Sequence, residues 1–232
     1  MRKVVGIIQA RMGASRLPNK MMLWLNGHPV IDWVVKRVQS AGKLDRVVVA
    51  LPSGARDDVL AMYLERQGVP VFRGSETDLV DRFYQAARAV CATHIVRICA
   101  DNPLICGSEI DHLVDYYFSH TNDYVYNHIP RNNRYPDGLG AEIISFDVLE
   151  RVWNEARKPE HREHLLNYIW ENPEKFSIGT FDPPDPELAK PEVKLDIDLL
   201  EDYGKILARP VRIEMTAREI LAAFKEGSDH RL

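Results

Sequence analysis

The feature that most constrains this chain is an alternation in its first hundred residues between short β-branched runs and longer stretches of helical periodicity. Lys3–Gln9, Arg46–Leu51, Pro70–Arg73 and His94–Ala100 are near-continuous apolar runs rich in Val and Ile. Runs without polar alternation mark strands covered on both faces, as in a parallel sheet sandwiched by helices. Between them, Val30, Ile31, Val34 and Val38 fall on one helical face, and a second apolar stripe is expected at Val59, Met62, Tyr63 and the stem of Arg66. A βαβαβ order requires right-handed crossovers. The expected fold class is therefore α/β, a three-layer, doubly wound and mostly parallel sheet. Such sheets bind ligands beyond the carboxyl ends of their strands, here Gln9–Lys20, Pro52–Asp57, Arg73–Asp81 and Asp101–Leu104.

The alternation lapses near Tyr124. A short strand at Tyr124–Asn127 leads into a segment rich in turn formers, from Ile129 to Gly140, expected to be a long functional loop. Helices are expected at Phe146–Arg157 and Glu160–Glu171, a strand at Ser177–Phe181, a Pro-rich connection at Asp182–Pro191, and a strand at Val193–Asp198. Leu200–Ala208 and Thr216–Lys225 close the chain as helices, with Thr216 as N-cap and Glu219 three residues on. The 232 residues are expected to form a single domain, interrupted at about 124–181 by an insertion.

Charge and cysteine content narrow the function. Thirty basic against 34 acidic residues give a net charge of −4, so nothing favours nucleic acid as a partner. No apolar run approaches the roughly 18 residues of a membrane span, and Val4–Ile8 is too short for a signal-peptide core. Cys91, Cys99 and Cys106 form neither a CxxC pair nor an even disulfide set, which fits reduced thiols and a cytoplasmic location. His161 and His164 lack Cys or Glu partners at zinc-ligand spacing.

The strongest local signal runs from Ile8 to Lys20: a strand entering a loop with one glycine, one serine and the cations Arg11, Arg16 and Lys20. Backbone amides in such a loop cradle anions, and three cations suit a polyphosphate. The spacing matches neither a Walker A loop nor a dinucleotide fingerprint. Asp101 follows one apolar strand immediately, and Asp196 and Asp198 close another on a shared face. Carboxylates at the same sheet edge as a triphosphate-sized basic loop suit Mg²⁺, which takes one or two of them plus phosphate oxygens.

These blocks resemble the cytidylyltransferases that make CMP-activated acid sugars, the CMP-Kdo and CMP-sialic acid synthetases, and most of all the spore-coat polysaccharide biosynthesis branch. The resemblance extends along most of the chain, through Phe72-Arg-Gly-Ser75 with Asp78 and Asp81-Arg82, Asp101-Asn-Pro-Leu104, Tyr135-Pro-Asp-Gly-Leu139 with Glu142, Arg162-Glu-His164, and Asp198 with Asp202. It implies a nucleotide-diphospho-sugar transferase-like fold and transfer of CMP from CTP to a sugar hydroxyl, typically of a 2-keto sugar acid, with release of pyrophosphate. Arg11, Ser15 and Lys20 match triphosphate-binding positions, Arg73 a nucleotide contact, and Asp101 and Asp198 the two magnesium ligands. Lys20, Asp101 and Asp198 are thus the candidate catalytic residues, and Arg16 joins the nucleotide-binding set by its place in the loop. Asn19 stands where the family's loop usually has glycine, and Asn tolerates positive φ better than most residues.

An acidic acceptor needs cations, and Arg131, Arg134, Arg162 and His164 are available in the insertion, with Glu142 among the candidate acceptor residues. The acceptor itself stays open among a nonulosonic acid, a Kdo-like acid and a phosphate- or phosphonate-bearing compound. So does the general base, with Asp196 or a metal-activated hydroxyl as alternatives. The resemblance implies a homodimer paired through the insertion, where Trp153, Tyr168, Ile169 and Trp170 offer apolar surface. Two other functions fit the residues alone: a glycosyltransferase using Asp196-Ile-Asp198 as a DxD-like metal site, and a non-catalytic nucleotide-binding module.

Overall fold

The computed structural model describes residues 2–225. The chain forms β1 (Val4–Gln9), a small hairpin of β2 (Trp24–Leu25) and β3 (His28–Pro29), α1 (Val30–Gln39), β4 (Arg46–Pro52), α2 (Asp58–Arg66), β5 (Val71–Gly74), α3 (Leu79–Ala89), β6 (His94–Cys99) and α4 (Gly107–Ser119). It continues through β7 (Tyr124–Tyr126), β8 (Glu142–Ser145), α5 (Phe146–Glu155), α6 (Pro159–Glu163), α7 (Asn167–Trp170), β9 (Ile178–Thr180), α8 (Leu200–Leu207) and α9 (Ala217–Lys225).

Seven strands make one sheet in the order β5-β4-β1-β6-β8-β7-β9. The pairs β5–β4, β4–β1, β1–β6 and β7–β9 are parallel, and β8 runs antiparallel to both neighbours. The chain winds outward from β1 to β5 and returns to β6 on the other side of β1, so the switch point lies between β1 and β6. A crevice opens there because the connections from the two strands depart in opposite directions.

Each face of the sheet supports its own core. One contains Ile8, Val49, Val96 and Ile98 beneath α1 and α4; the other contains Val5, Ile7, Val48, Ile95 and Ile144 beneath α3 and α5. Val30, Ile31, Val34 and Val38 of α1 are fully buried, each contributing about 1.5–3 kcal/mol of hydrophobic stabilisation.

Four expectations need correction. In α2 the buried stripe is Leu60, Ala61 and Leu64, whereas Val59 and Met62 are exposed. The helix packs on its Leu face, because two leucines and an alanine fit closely against β4 and β5. The helix expected at Glu160–Glu171 is broken into α6 and α7, with His164 in an extended conformation between them. That break lets Leu165 and Leu166 turn inward, and it separates His161 and His164 from any common helical face. Val193–Asp198 is extended but forms no sheet strand. Its backbone joins neighbouring backbone through a single parallel bridge, Asp137 to Lys194, and through the Ile197 amide donating to the Asp101 carbonyl at 2.7 Å.

The fourth concerns the insertion. Tyr168 and Ile169 are buried, and Trp153 and Trp170 pack against the α3–α5 core. The exposed large apolar side chains among the described residues are Trp24, Val59, Met62, Leu199, Leu200 and Leu207, none of them in 124–181. The α9 cap is as expected: the Thr216 amide donates to Glu219 Oε2 at 2.8 Å, and the Glu219 amide returns to Thr216 Oγ1 at 3.3 Å.

Candidate active site

The loop after β1 is shaped by a few backbone constraints. The Asn19 amide donates to the Met12 carbonyl at 2.9 Å, closing residues 12–19 into a lobe. Asn19 sits at φ 61°, the left-handed conformation that glycine takes most readily and Asn tolerates. From below, buried Asp57 accepts the Met12 amide at 2.7 Å. The lobe passes into a 3₁₀ turn at Lys20–Met22, which drives the Lys20 side chain into the fold.

Lys20 is 7 % exposed. Its ammonium donates to the Ile197 carbonyl at 2.7 Å and pairs with Asp101 at 3.2 Å. Arg16, on the exposed side of the lobe, pairs with Asp198 at 2.8 Å. A cleft of about 190 Å³ lies between these groups, lined by Arg11, Ser15, Arg16, Lys20, Asp101 and Asp198 together with Gln9, Arg97 and Cys99. Six candidate residues from three distant parts of the chain thus share one cavity at the switch point.

The electrostatics are acidic on one wall. Burial, then the neighbouring Asp137 carboxylate, pushes Asp196 up to about 6, and burial likewise raises Asp137. Asp101 and Asp198 act on both in the same sense. Asp196 pairs with Lys194 at 3.6 Å, and its Oδ1 is buried without a hydrogen-bond partner. Asp202 lies at the start of α8, where it accepts from the Leu199 amide at 2.9 Å and the Asp198 amide at 3.1 Å. Burial opposes its ionisation, but Lys194 and the two amides prevail and hold the carboxyl below its usual range. The residue shapes the turn that presents Asp198.

Two further cavities adjoin the cleft. One of about 170 Å³ is bounded by Arg97, Tyr124, His128, Glu142, His164 and Trp170. The other, about 360 Å³, lies between Arg11, Arg82, Glu76 and His164. Glu142 and His164 therefore border the cleft's extension. Arg73, Arg134 and Arg162 line none of these three spaces. Arg73 binds the Pro52 and Gly54 carbonyls and Asp58, Arg162 pairs with Asp78, and Arg134 pairs with Asp182 at the surface. Each supports a loop, because a guanidinium beside backbone carbonyls or a carboxylate is satisfied locally. Arg131 stacks over the Trp170 ring at 4.1 Å.

The motif reading passed over Gln9, Arg97 and Asp57. Arg97 left a trace in the sequence, a lone cation inside the apolar run Ile95-Val-Arg-Ile-Cys99. Asp57 left none, since an Asp in a turn is ordinary.

The family model for cytidylyltransferases matches residues 5–224. The chain belongs to the cytidylyltransferase family. It is 29 % identical to the spore coat polysaccharide biosynthesis protein SpsF of Bacillus subtilis over 99 % of this chain and 97 % of that one. It is 33 % identical to a 3-deoxy-manno-octulosonate cytidylyltransferase of Bdellovibrio bacteriovorus over 50 % of this chain and 46 % of the relative. Among solved structures, a cytidylyltransferase from Leptospira borgpetersenii superimposes with a TM-score of 0.88 at 30 % identity, covering 97 % of this chain and 95 % of its own. In this nucleotidyltransferase the basic lobe meets the acidic wall at the parallel-strand switch point, through the Lys20–Asp101 and Arg16–Asp198 pairs.

Proposed function

We propose that this cytidylyltransferase transfers CMP from CTP to a hydroxyl of a 2-keto sugar acid and releases pyrophosphate. One observation carries the reading: the lobe bearing Arg11, Ser15, Arg16 and Lys20 opposes Asp101 and Asp198 across a single cleft. The lobe's amides and cations suit a triphosphate, and the adjoining cavities leave room for a second substrate.

Attack on the α-phosphate requires alignment of the hydroxyl, neutralisation of the phosphoryl oxygens, and a stabilised leaving pyrophosphate. Lys20 is held rigidly by the Ile197 carbonyl and Asp101, so its charge is in place before substrate arrives. Arg16 is exposed, so its solvent-screened pair with Asp198 costs little to exchange for a phosphate.

Asp101 and Asp198 fit a magnesium ion. Both offer hard oxygen donors on one cleft, and the nearby Asp137 and Asp196 add negative potential. Magnesium takes one or two carboxylates and completes its shell with phosphate oxygens and water. When bound there, magnesium would supply charge neutralisation on the triphosphate.

The test is pyrophosphate release from CTP with a panel of 2-keto sugar acids, beside thermal shifts with the four nucleotides. CTP is expected to stabilise most, by about 2.7 kcal/mol at a hundred times its Kd, and pyrophosphate to appear only when an acid acceptor is present. A larger shift with GTP or UTP would overturn the base assignment.

A further inference from the structure

On the side covered by α3 and α5, the sheet is apolar below one row of polar groups. Arg97 of β6 stands in register with Glu142 of β8 and with Ile7 of β1, and Gln9, two residues beyond Ile7 on the same face of β1, reaches it with its side chain. The guanidinium donates Nε and Nη2 to Gln9 Oε1 at 3.1 and 3.0 Å, and Nη1 to Glu142 Oε1. The other Glu142 oxygen accepts the Tyr124 hydroxyl at 2.6 Å. Glu142 is 3 % exposed. Burial alone would neutralise it, but Arg97, first among its neighbours, holds the carboxyl below its usual range.

A buried ion pair is a poor stabilising device, since well-packed apolar residues of similar volume do as well or better. Continuing the apolar row of Val5, Ile95 and Ile144 into the positions of Arg97 and Glu142 would have served stability alone. Two observations indicate a ligand instead. Arg97 lines both the nucleotide cleft and the 170 Å³ cavity beside it, so it stands where two substrates must meet. A guanidinium also carries five N–H groups, and the three bonds to Gln9 and Glu142 leave two without a protein acceptor among the described residues.

We propose that these two N–H groups of Arg97 bind the carboxylate of the sugar acceptor. Gln9 and Glu142 hold the guanidinium so that the acceptor spans from the side cavity to the cleft. The assignment rests on the acid-acceptor reading above. Arg97 is thereby an acceptor-binding and specificity-determining residue, and Glu142 a positioning residue acting through it. The geometry suits Arg rather than Lys, because three fixed bonds orient a planar donor group that an ammonium cannot reproduce.

The experiment compares the wild type with Arg97→Lys and with the double variant Arg97→Met/Glu142→Gln, which removes both charges and leaves neither buried alone. CTP affinity is measured by calorimetry, and kcat and KM by pyrophosphate release with 3-deoxy-manno-octulosonate, N-acetylneuraminate and the carboxamide of each. The wild type is expected to favour the acids over the amides. In the folded double variant the acceptor KM should rise on the order of 100-fold and the acid preference collapse, with CTP affinity within about threefold of wild type. Arg97→Lys should recover a fraction of the acid preference. A folded, CTP-binding double variant that keeps the wild-type preference overturns the Arg97 assignment while leaving the function intact. Absence of turnover by the wild type with both acids overturns the acceptor class itself and the assignment with it.

Discussion

Lys20 shows how a single side chain joins loop and sheet: its ammonium is buried yet satisfied by the Ile197 carbonyl and the Asp101 carboxylate, so it brings a positive charge to the cleft floor without an orphaned cation. The carboxylates opposite it are surface groups of a cavity and carry little packing. Asp101→Asn and Asp198→Asn are therefore expected each to lower turnover in the presence of magnesium by about 100-fold or more, with the melting temperature nearly unchanged in Asp198→Asn and lowered in Asp101→Asn, which removes the charge partner of buried Lys20. Near-normal turnover at saturating magnesium would make either Asp structural. His128 carries a pH effect. Burial pushes its imidazole below the usual value despite the Glu142 carboxylate beside it, so below about pH 6.5 the unfolded chain takes up a proton that the folded chain does not. Stability should fall as pH drops from 7 to 5. In His128→Gln the melting temperature should fall less over the same interval, and an unchanged slope would remove His128 from the account.

At the scale of elements, the lobe after β1 is held at both ends: by the Asn19-to-Met12 hydrogen bond within it, and by Asp57 from the turn after β4. Asp57 touches no cleft, so its effect on nucleotide binding must travel through the Met12 amide. Losing a buried hydrogen bond to a carboxylate costs roughly 1–3 kcal/mol. Asp57→Ala is expected to weaken CTP binding by about tenfold in calorimetry, and Asp57→Asn, which keeps an acceptor oxygen, by distinctly less. Equal losses in both would assign the effect to charge near Arg82 rather than to the hydrogen bond. The turn before β8 shows a second constraint of this kind. Gly138 has φ 87°, its amide donates to the His128 carbonyl at 2.8 Å, and an added Cβ would stand 3.0 Å from the Asp196 amide.

For the whole molecule, the two cores on opposite faces of one sheet make the cleft a property of the assembled fold, since its walls come from residues 9–20, 97–101 and 198. Subunit pairing through 124–181 remains our proposal. The aromatic residues of that segment are turned inward, so a surface pairing there would be largely polar. Sedimentation equilibrium at micromolar concentration is expected to give twice the 26.6 kDa chain mass, unchanged in Leu200→Glu and Met62→Lys. A fall to the chain mass in either variant would move the interface to α8 or α2.

The sequence alone determined the doubly wound core, because uninterrupted Val/Ile runs alternating with amphipathic stretches have few ways to bury their apolar faces. It also exposed the basic lobe and Asp101, since both follow a strand directly and strand ends are where such sheets bind ligands. Asn19 could be assigned its backbone conformation from residue type alone. What the tertiary structure decided was everything resting on distant partners. Arg73, Arg134 and Arg162 look in sequence like ligand-binding cations, and the fold places each beside a carboxylate or carbonyl away from the cleft and its two adjoining cavities. Arg97 looks like an irregularity in a strand, yet Gln9 and Glu142, 88 and 45 residues away, turn it toward the cleft. Periodicity reports which local face is apolar; which charge remains free for a substrate depends on neighbours that only the folded chain assembles.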